Sequence, residues 1–212
     1  MSTETVITTT GPGATTDSSM PAGGLWAALS YWGLHAWILG YCVVMLAAFY
    51  IQFAMGEFPC PLCMLQRYGM ILSSLGALFV IMQARRGTLT ASRYAQGLGM
   101  GLLGALTGAP VSVRQIELHI KPGDPGYGEP VLGLHLYTWA LITFVIVMIY
   151  VGAALMMMPK SIPAAPAAGT PARTVSTLVI WLFIAVVLAL LYLPLLPPLL
   201  FSVGGESGEP TL

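Results

Sequence analysis

Residues 28–55 read ALSYWGLHAWILGYCVVMLAAFYIQFAM, and no acid, lysine or arginine follows until Glu57. A helix needs about 20 predominantly apolar residues to cross a hydrocarbon layer of ~30 Å, so this run is long enough to span a bilayer. Trp26, Tyr31, Trp32 and Trp37 crowd its start, as aromatic side chains do where a membrane meets water. The same reading extends outward along the chain. After the break Gly56-Glu57-Phe58-Pro59-Cys60-Pro61, a second span is expected from about Leu62 to Gln83 and a third from about Tyr94 to Val113. The third carries Gly97, Gly101, Gly104 and Gly108, a spacing that lets helix backbones approach closely in lipid. Pro110 is expected to kink it near its end. A fourth span runs from about Tyr137 to Met158, and a fifth, almost purely aliphatic, from about Val175 to Tyr192.

Composition agrees. Of 212 residues, 57% are hydrophobic and 8% charged, against roughly 25% charged in a soluble domain; the mean hydropathy is +0.82. So few charges cannot clothe a soluble globule. A net charge of zero without a basic stripe excludes a nucleic-acid binder. The chain therefore reads as an all-α integral membrane protein. Residues 1–24 are polar, with two acids and no base, which predicts a disordered tail rather than a secretory signal. Residues 25–158 form the membrane domain, 159–174 a Pro/Ala linker expected to be flexible or extended, 175–203 the fifth helix and 204–212 an acidic tail.

Orientation follows from the basic residues in the loops. Arg85, Arg86, Arg93, Lys160 and Arg173 fall on one side, and Arg67, Arg114 and Lys121 on the other. This bias puts the N-terminus in the cytoplasm. The Cys60 hairpin, the 114–136 loop and the C-terminus then lie outside.

The chain has three cysteines: Cys42, Cys60 and Cys63. Cys42 sits mid-span, roughly 20–27 Å from Cys60 along a helix, too far for a disulfide, whose Cα atoms lie within about 7 Å. It reads as a small buried hydrophobe. Cys60-Pro61-Leu62-Cys63 is different, because a C-x-x-C at the mouth of a helix can cycle between dithiol and disulfide. Cys63 falls in the first turn, where free amides and the helix dipole favour a thiolate. Arg67 is four residues on and shares its helix face. An arginine this close to the membrane is costly and marks a functional position. The alternatives are an inert structural disulfide and a zinc set completed by His119 and His135. A c-type haem would need histidine where Met64 stands. No metal is assigned. Met156-Met157-Met158 reads as packing rather than copper ligation, and His35 as an interfacial side chain.

The stretch Phe58-Pro59-Cys60-Pro61-Leu62-Cys63-Met64-Leu65-Gln66-Arg67-Tyr68 resembles the bacterial disulfide-bond formation protein B (DsbB) family, whose hallmark is C-x-x-C followed by a Gln/Glu-Arg pair. Arg114-Gln115-Ile116-Glu117-Leu118-His119 and Gly133-Leu134-His135-Leu136-Tyr137-Thr138-Trp139 resemble two further family segments. The likeness covers roughly residues 30–155. It implies a DsbB-like four-helix transmembrane bundle, here with a fifth C-terminal helix, in the bacterial inner membrane. It also implies a quinone-dependent protein-disulfide oxidoreductase with Cys60 and Cys63 as the catalytic pair. Ubiquinone or menaquinone is the expected cofactor, near Arg67, Gln66, Arg114, Gln115 and His119. The residue matching Cys63 approaches the quinone, and the one matching Arg67 stabilises the thiolate–quinone complex. Expected partners are the lipid bilayer and a periplasmic thiol oxidase or another substrate dithiol protein.

Two departures stand out. Family members carry a second cysteine pair in the outer loop, whereas Arg114–Leu136 contains none. A substrate thiol then attacks Cys60–Cys63 directly, or the usual partner is no longer oxidised. The fifth span lies outside the family's four-helix core, and it gives the alternative of a non-catalytic accessory subunit that docks on other membrane-complex subunits.

Overall fold

The computed structural model describes residues 24–54, 60–121, 123, 124, 126, 130–158 and 160–192. Residues 1–23 of the polar N-terminal tail, residues 55–59 before Cys60 and the segment after Tyr192 lie outside the described residues. Within them are five helices: α1 (Leu25–Ala54), α2 (Pro61–Arg85), α3 (Ala91–Leu118), α4 (Leu136–Met156) and α5 (Pro171–Tyr192). The all-α expectation holds. Local chemistry fixes the ends. Pro61 opens α2 at a position where its missing N–H costs nothing. Arg86 caps the other end, and Gly87 follows at φ +68°, a left-handed turn that glycine adopts freely. The Thr90 hydroxyl accepts the Arg93 amide at 3.2 Å and caps α3.

Four helices, α1, α2, α4 and α5, are each long and apolar enough to cross a membrane on their own. The third falls short of that composition because it has exchanged aliphatic side chains for glycine. At ~1.5 Å per residue its 28 residues still extend about 42 Å. Those glycines bring α2 and α3 into backbone contact. A Cβ on Gly69 would sit 2.9 Å from the Gly108 Cα, one on Gly76 would fall on the backbone of Gly97 and Gly101, and one on Gly104 on that of Ser73. The Ser73 hydroxyl also donates to the Gly101 carbonyl at 2.8 Å. Trp37 of α1 and Phe144 of α4 fill the hollows over Gly101 and Gly108. The glycine face of α3 is thus covered by its neighbours while Met100, Leu103 and Leu106 on the opposite face stay exposed, and close packing accounts for its place in the bundle.

Sequence reading ended α3 at Val113, with Arg114 already in a loop. The helix instead passes through Pro110 and continues to Leu118. Pro110 lies on the exposed face. Nearby carbonyls gain side-chain donors, from Thr107 to Gly104 at 2.8 Å and from Ser112 to Gly108 at 3.3 Å. The extension puts Gln115, 1% exposed, on the face that meets α2.

The fifth helix runs beside α1 with Ser176, Val179, Ile180, Phe183, Val186 and Leu190 buried, a spacing of three and four residues that forms one stripe. At its start a polar cluster ties three helices. The Ser176 hydroxyl lies 2.7 Å from the Tyr31 hydroxyl, 2.8 Å from His35 Nε2 and 3.4 Å from Arg85 Nη1. Thr177 accepts from Arg85 Nη2 at 2.8 Å, and Arg173 donates to the Arg85 carbonyl at 3.1 Å. His35 is therefore a buried, hydrogen-bonded core residue rather than an interfacial one. The Pro/Ala segment before α5 is partly packed as well: Ser161 and Pro163 are buried, and Ser161 donates to the Ala154 carbonyl at 2.7 Å. Cys42 is fully buried and unpaired.

Two stability measurements test this packing. Gly104→Ala is expected to lower stability in detergent by about 1–3 kcal/mol, whereas Gly99→Ala, with nothing within 4 Å of the new carbon, should be neutral or slightly stabilising. Equal midpoints for the two variants would refute the close approach of α2 and α3. Ser176→Ala should cost about 1–3 kcal/mol, since it leaves buried donors unmatched.

Candidate functional site

Cys60 is the N-cap of α2. Its sulfur accepts the Cys63 backbone N–H at 3.1 Å, which satisfies one of the free amides of the first turn. Sequence reading assigned that amide field to Cys63; in the structure the sulfur occupying the cap is Cys60. Both thiols are unpaired and half-buried.

The extended α3 supplies the other half of the site. Gln115 Nε2 lies 3.3 Å from Cys63 Sγ and 3.6 Å from Cys60 Sγ, and Cys63 Sγ is 3.7 Å from Gln115 Oε1. Gln66 Nε2 donates to Gln115 Oε1 at 2.8 Å. An amide oxygen can only accept, so this bond fixes which way the Gln115 amide faces and turns its NH₂ toward the sulfurs. Gln66 is 5% and Gln115 1% exposed, so water does not compete for these bonds. The Cys63 amide and the Gln115 NH₂ donate to the two sulfurs, and the two thiols lie within hydrogen-bonding reach of each other.

Arg67 is placed elsewhere. Successive helical residues turn by about 100°, so from Cys63 the third and fourth following residues diverge to opposite sides. Gln66 consequently meets α3, while Arg67 crosses to α1. There its guanidinium donates to Gln52 Oε1 at 3.1 Å and lies over the Phe49 ring at 5.3 Å. Met64 Sδ is 3.9 Å from the same nitrogen. Neither Gln52 nor Phe49 was singled out from the sequence. Gln52 had a readable signal, since it is the one amide in an otherwise apolar span.

Arg114 and His119 flank the site without joining it. Arg114 points outward and pairs with Glu117 at 3.3 Å, both more than half exposed, an ion pair of little energetic weight. His119, one turn beyond Gln115, donates from Nδ1 to Asp124 Oδ1 at 3.1 Å and stacks near Tyr137 at 5.9 Å, and His135 stacks on the same tyrosine at 5.2 Å. The Gly126 amide, which donates to Asp124 at 2.8 Å, and His119 hold that carboxyl below the usual carboxylate range. Among the described residues no group of three His, Cys, Asp or Glu side chains could hold a metal ion, so the zinc set weighed from the sequence is not assembled. Gln66 and Gln115 are brought to the dithiol, then, and the charged candidates stand around it.

Comparison with known proteins matches the sequence to one family. The family described as disulfide bond formation protein DsbB matches residues 30–154, more than half of the chain and including all four residues of the amide–dithiol cluster. Disulfide bond formation protein B of Chromobacterium violaceum is 40% identical over 77 residues, covering 36% of this chain and 44% of that protein. Its counterpart from Azoarcus sp. is 34% identical over 117 residues, covering 55% of this chain and 68% of that protein. Disulfide bond formation protein B 1 of Pseudomonas fluorescens strain Pf-5 is 30% identical over 142 residues, covering 52% and 80% respectively. No solved structure matches the chain. A C-x-x-C capping the second helix of a membrane bundle, with the family matched over residues 30–154 and so across α1 to α4, identifies the chain as a member of the DsbB family.

Proposed function

We propose that the protein is a membrane thiol–disulfide oxidoreductase that passes electrons from protein dithiols through Cys60 and Cys63 to a membrane quinone, forming disulfide bonds in its substrates. The observation that carries this reading is that two unpaired thiols share one amide nitrogen at the mouth of a helix. The family and the names of the relatives support it. In the reaction a substrate thiolate attacks the Cys60–Cys63 disulfide and forms a mixed disulfide, and the second cysteine leaves as a thiolate. The substrate's other thiol then closes the substrate disulfide and releases the reduced pair. Two electrons have moved from substrate to protein.

A quinone, ubiquinone or menaquinone, supplies the acceptor for the two electrons and two protons given up when the Cys60–Cys63 disulfide re-forms. The residues present fit such a group. Arg67, 7% exposed, brings a permanently charged, donor-rich guanidinium to the outer end of α2. Leu65 and Tyr68, about half exposed beside it, present an apolar surface to the bilayer. Gln66 and Gln115 add amide groups next to the sulfurs, and Arg114 and His119 stand at the rim.

The stretch from Arg114 to Leu136 has no cysteine and Cys42 is buried, so a substrate thiol must reach Cys60 or Cys63 directly. The bias of basic loop residues supports a periplasmic site and a cytoplasmic N-terminus. A periplasmic thiol oxidase or another dithiol protein is the partner. The fifth helix already spends its Ser176–Leu190 stripe on α1, which supports an integral part of this fold over an arm for docking other subunits.

Maleimide trapping in membranes tests the reaction. Cys60 and Cys63 should be oxidised when quinone is present and accumulate as thiols when it is depleted; thiols that persist in both conditions refute the proposal. Direct attack has its own test. Cys63→Ser or Cys60→Ser should trap a substrate protein as a reductant-sensitive adduct, and the absence of any adduct in both variants would exclude it.

A further inference from the structure

We infer that Gln115 is a catalytic residue that sets the redox poise of the Cys60–Cys63 couple, with Gln66 as its positioning residue. The inference rests on the reading of Cys60 and Cys63 as a redox pair and names what tunes it. Arg67, the only cation on the first turns of α2, donates to Gln52 and lies against Phe49, both on α1. The dithiol is met instead by neutral amides.

Gln66 occupies one lone pair of Gln115 Oε1 and so holds the NH₂ toward the sulfurs. In the reduced state, Cys63 S–H can donate to the remaining lone pair of Oε1, at 3.7 Å, while an Nε2 hydrogen is given to Cys60 Sγ, at 3.6 Å. When Cys63 loses its proton, the other Nε2 hydrogen faces its sulfur at 3.3 Å. The amide therefore serves both the dithiol and the thiolate without moving. A disulfide has no hydrogen to give, and its sulfurs are weaker acceptors. On oxidation the two thiols lose two protons and two electrons to the quinone, form the S–S bond and give up these contacts. Each contact that Gln115 makes with the sulfurs thus favours the reduced side. This makes the Cys60–Cys63 disulfide a stronger oxidant toward substrate, by the logic that ranks disulfide couples according to how well their reduced forms are held.

The arrangement also explains why two glutamines stand together. A lone buried amide could present either its oxygen or its nitrogen to the sulfurs. Gln66 removes that choice. Replacing it with an isosteric carboxylate, which only accepts, would reverse the arrangement: Gln115 Nε2 would turn to residue 66 and Oε1 to the thiols.

Equilibrium of full-length, quinone-depleted protein in detergent with glutathione buffers, read by maleimide trapping, tests this. Gln115→Leu is expected to shift the Cys60–Cys63 equilibrium about tenfold toward the disulfide, ~30 mV more reducing. Gln66→Glu, which keeps volume and shape, should shift it in the same direction, and this shift should vanish in the Gln115→Leu background. A carboxylate acting by its charge alone would move the couple with or without the amide. A purely structural role for Gln66 would not give that combination. If wild-type and both variants titrate together within about twofold, the inference is wrong. If Gln115→Leu does not fold, Gln115→Met, which keeps the length of the side chain and lacks the amide, takes its place in both measurements. Should the wild-type pair fail to form a disulfide at any glutathione ratio, it is the oxidoreductase reading itself that falls.

Discussion

Backbone contact between α2 and α3 is the constraint on which the remaining architecture depends. Water-soluble bundles are held by burying apolar side chains, but lipid tails are as apolar as leucine, so helices in a bilayer gain little from that alone. Here the gain comes from close approach. Gly69, Gly76 and Gly104 lack the side chains that would hold the two backbones apart, and Gly97, Gly101 and Gly108 make room for Val80, Trp37 and Phe144. The Ser73 hydroxyl, bonded to the Gly101 carbonyl, adds a polar tie at the same contact. Once Gly69 and Gly108 touch, the distance between the outer ends of the two helices is no longer adjustable. Gln66 and Gln115, a turn or two beyond, are then within reach of one another and of the dithiol. The redox pair is thus positioned by a contact made several residues deeper in the membrane.

Neutral and charged groups are divided between two faces of α2. The face toward α3 holds the sulfurs and the two amides, and the face toward α1 holds the guanidinium. A full charge in a site of low dielectric dominates its surroundings, whereas an amide offers donors and an acceptor together and can serve a thiol in either protonation state. Keeping Arg67 against Phe49 and Gln52 stabilises the charge by a ring face and a carbonyl oxygen. It also leaves the hydrogen bonds of the dithiol to groups that carry no net charge.

Much of this was legible in the sequence. The uncharged run from Ala28 to Met55, the C-x-x-C before a span and the glycine spacing of the third helix are local patterns with direct physical meaning, and they set the fold class, the helix order and the cysteine pair. What sequence could not supply was rotation. Arg67 shares a helix face with Cys63 by spacing, yet which neighbour that face meets depends on how α2 turns against α3, and interhelix contact decides that. Gln115 reads as a loop residue because the apolar run ends at Val113 and a polar segment begins at Arg114, just after the kink expected at Pro110. The exposed position of that proline, with Thr107 and Ser112 hydroxyls on nearby carbonyls, let α3 run on. His35 looked interfacial because its partner Ser176 lies 141 positions away in the chain, beyond any local pattern.

The cluster around Ser176 has a consequence of its own. His35 Nδ1 lies 2.8 Å from the Tyr31 carbonyl, which can only accept, so the imidazole carries its proton on Nδ1. Nε2 is then an acceptor, and the single hydrogen of Ser176 must go to it. Both lone pairs of that hydroxyl remain for Tyr31 and Arg85. Every site is taken, with one tautomer and one direction of donation along the chain of bonds. The fifth helix is therefore joined to the bundle by a connection with a defined proton count, and its identity as a subunit of the fold is written in hydrogens as much as in its aliphatic stripe.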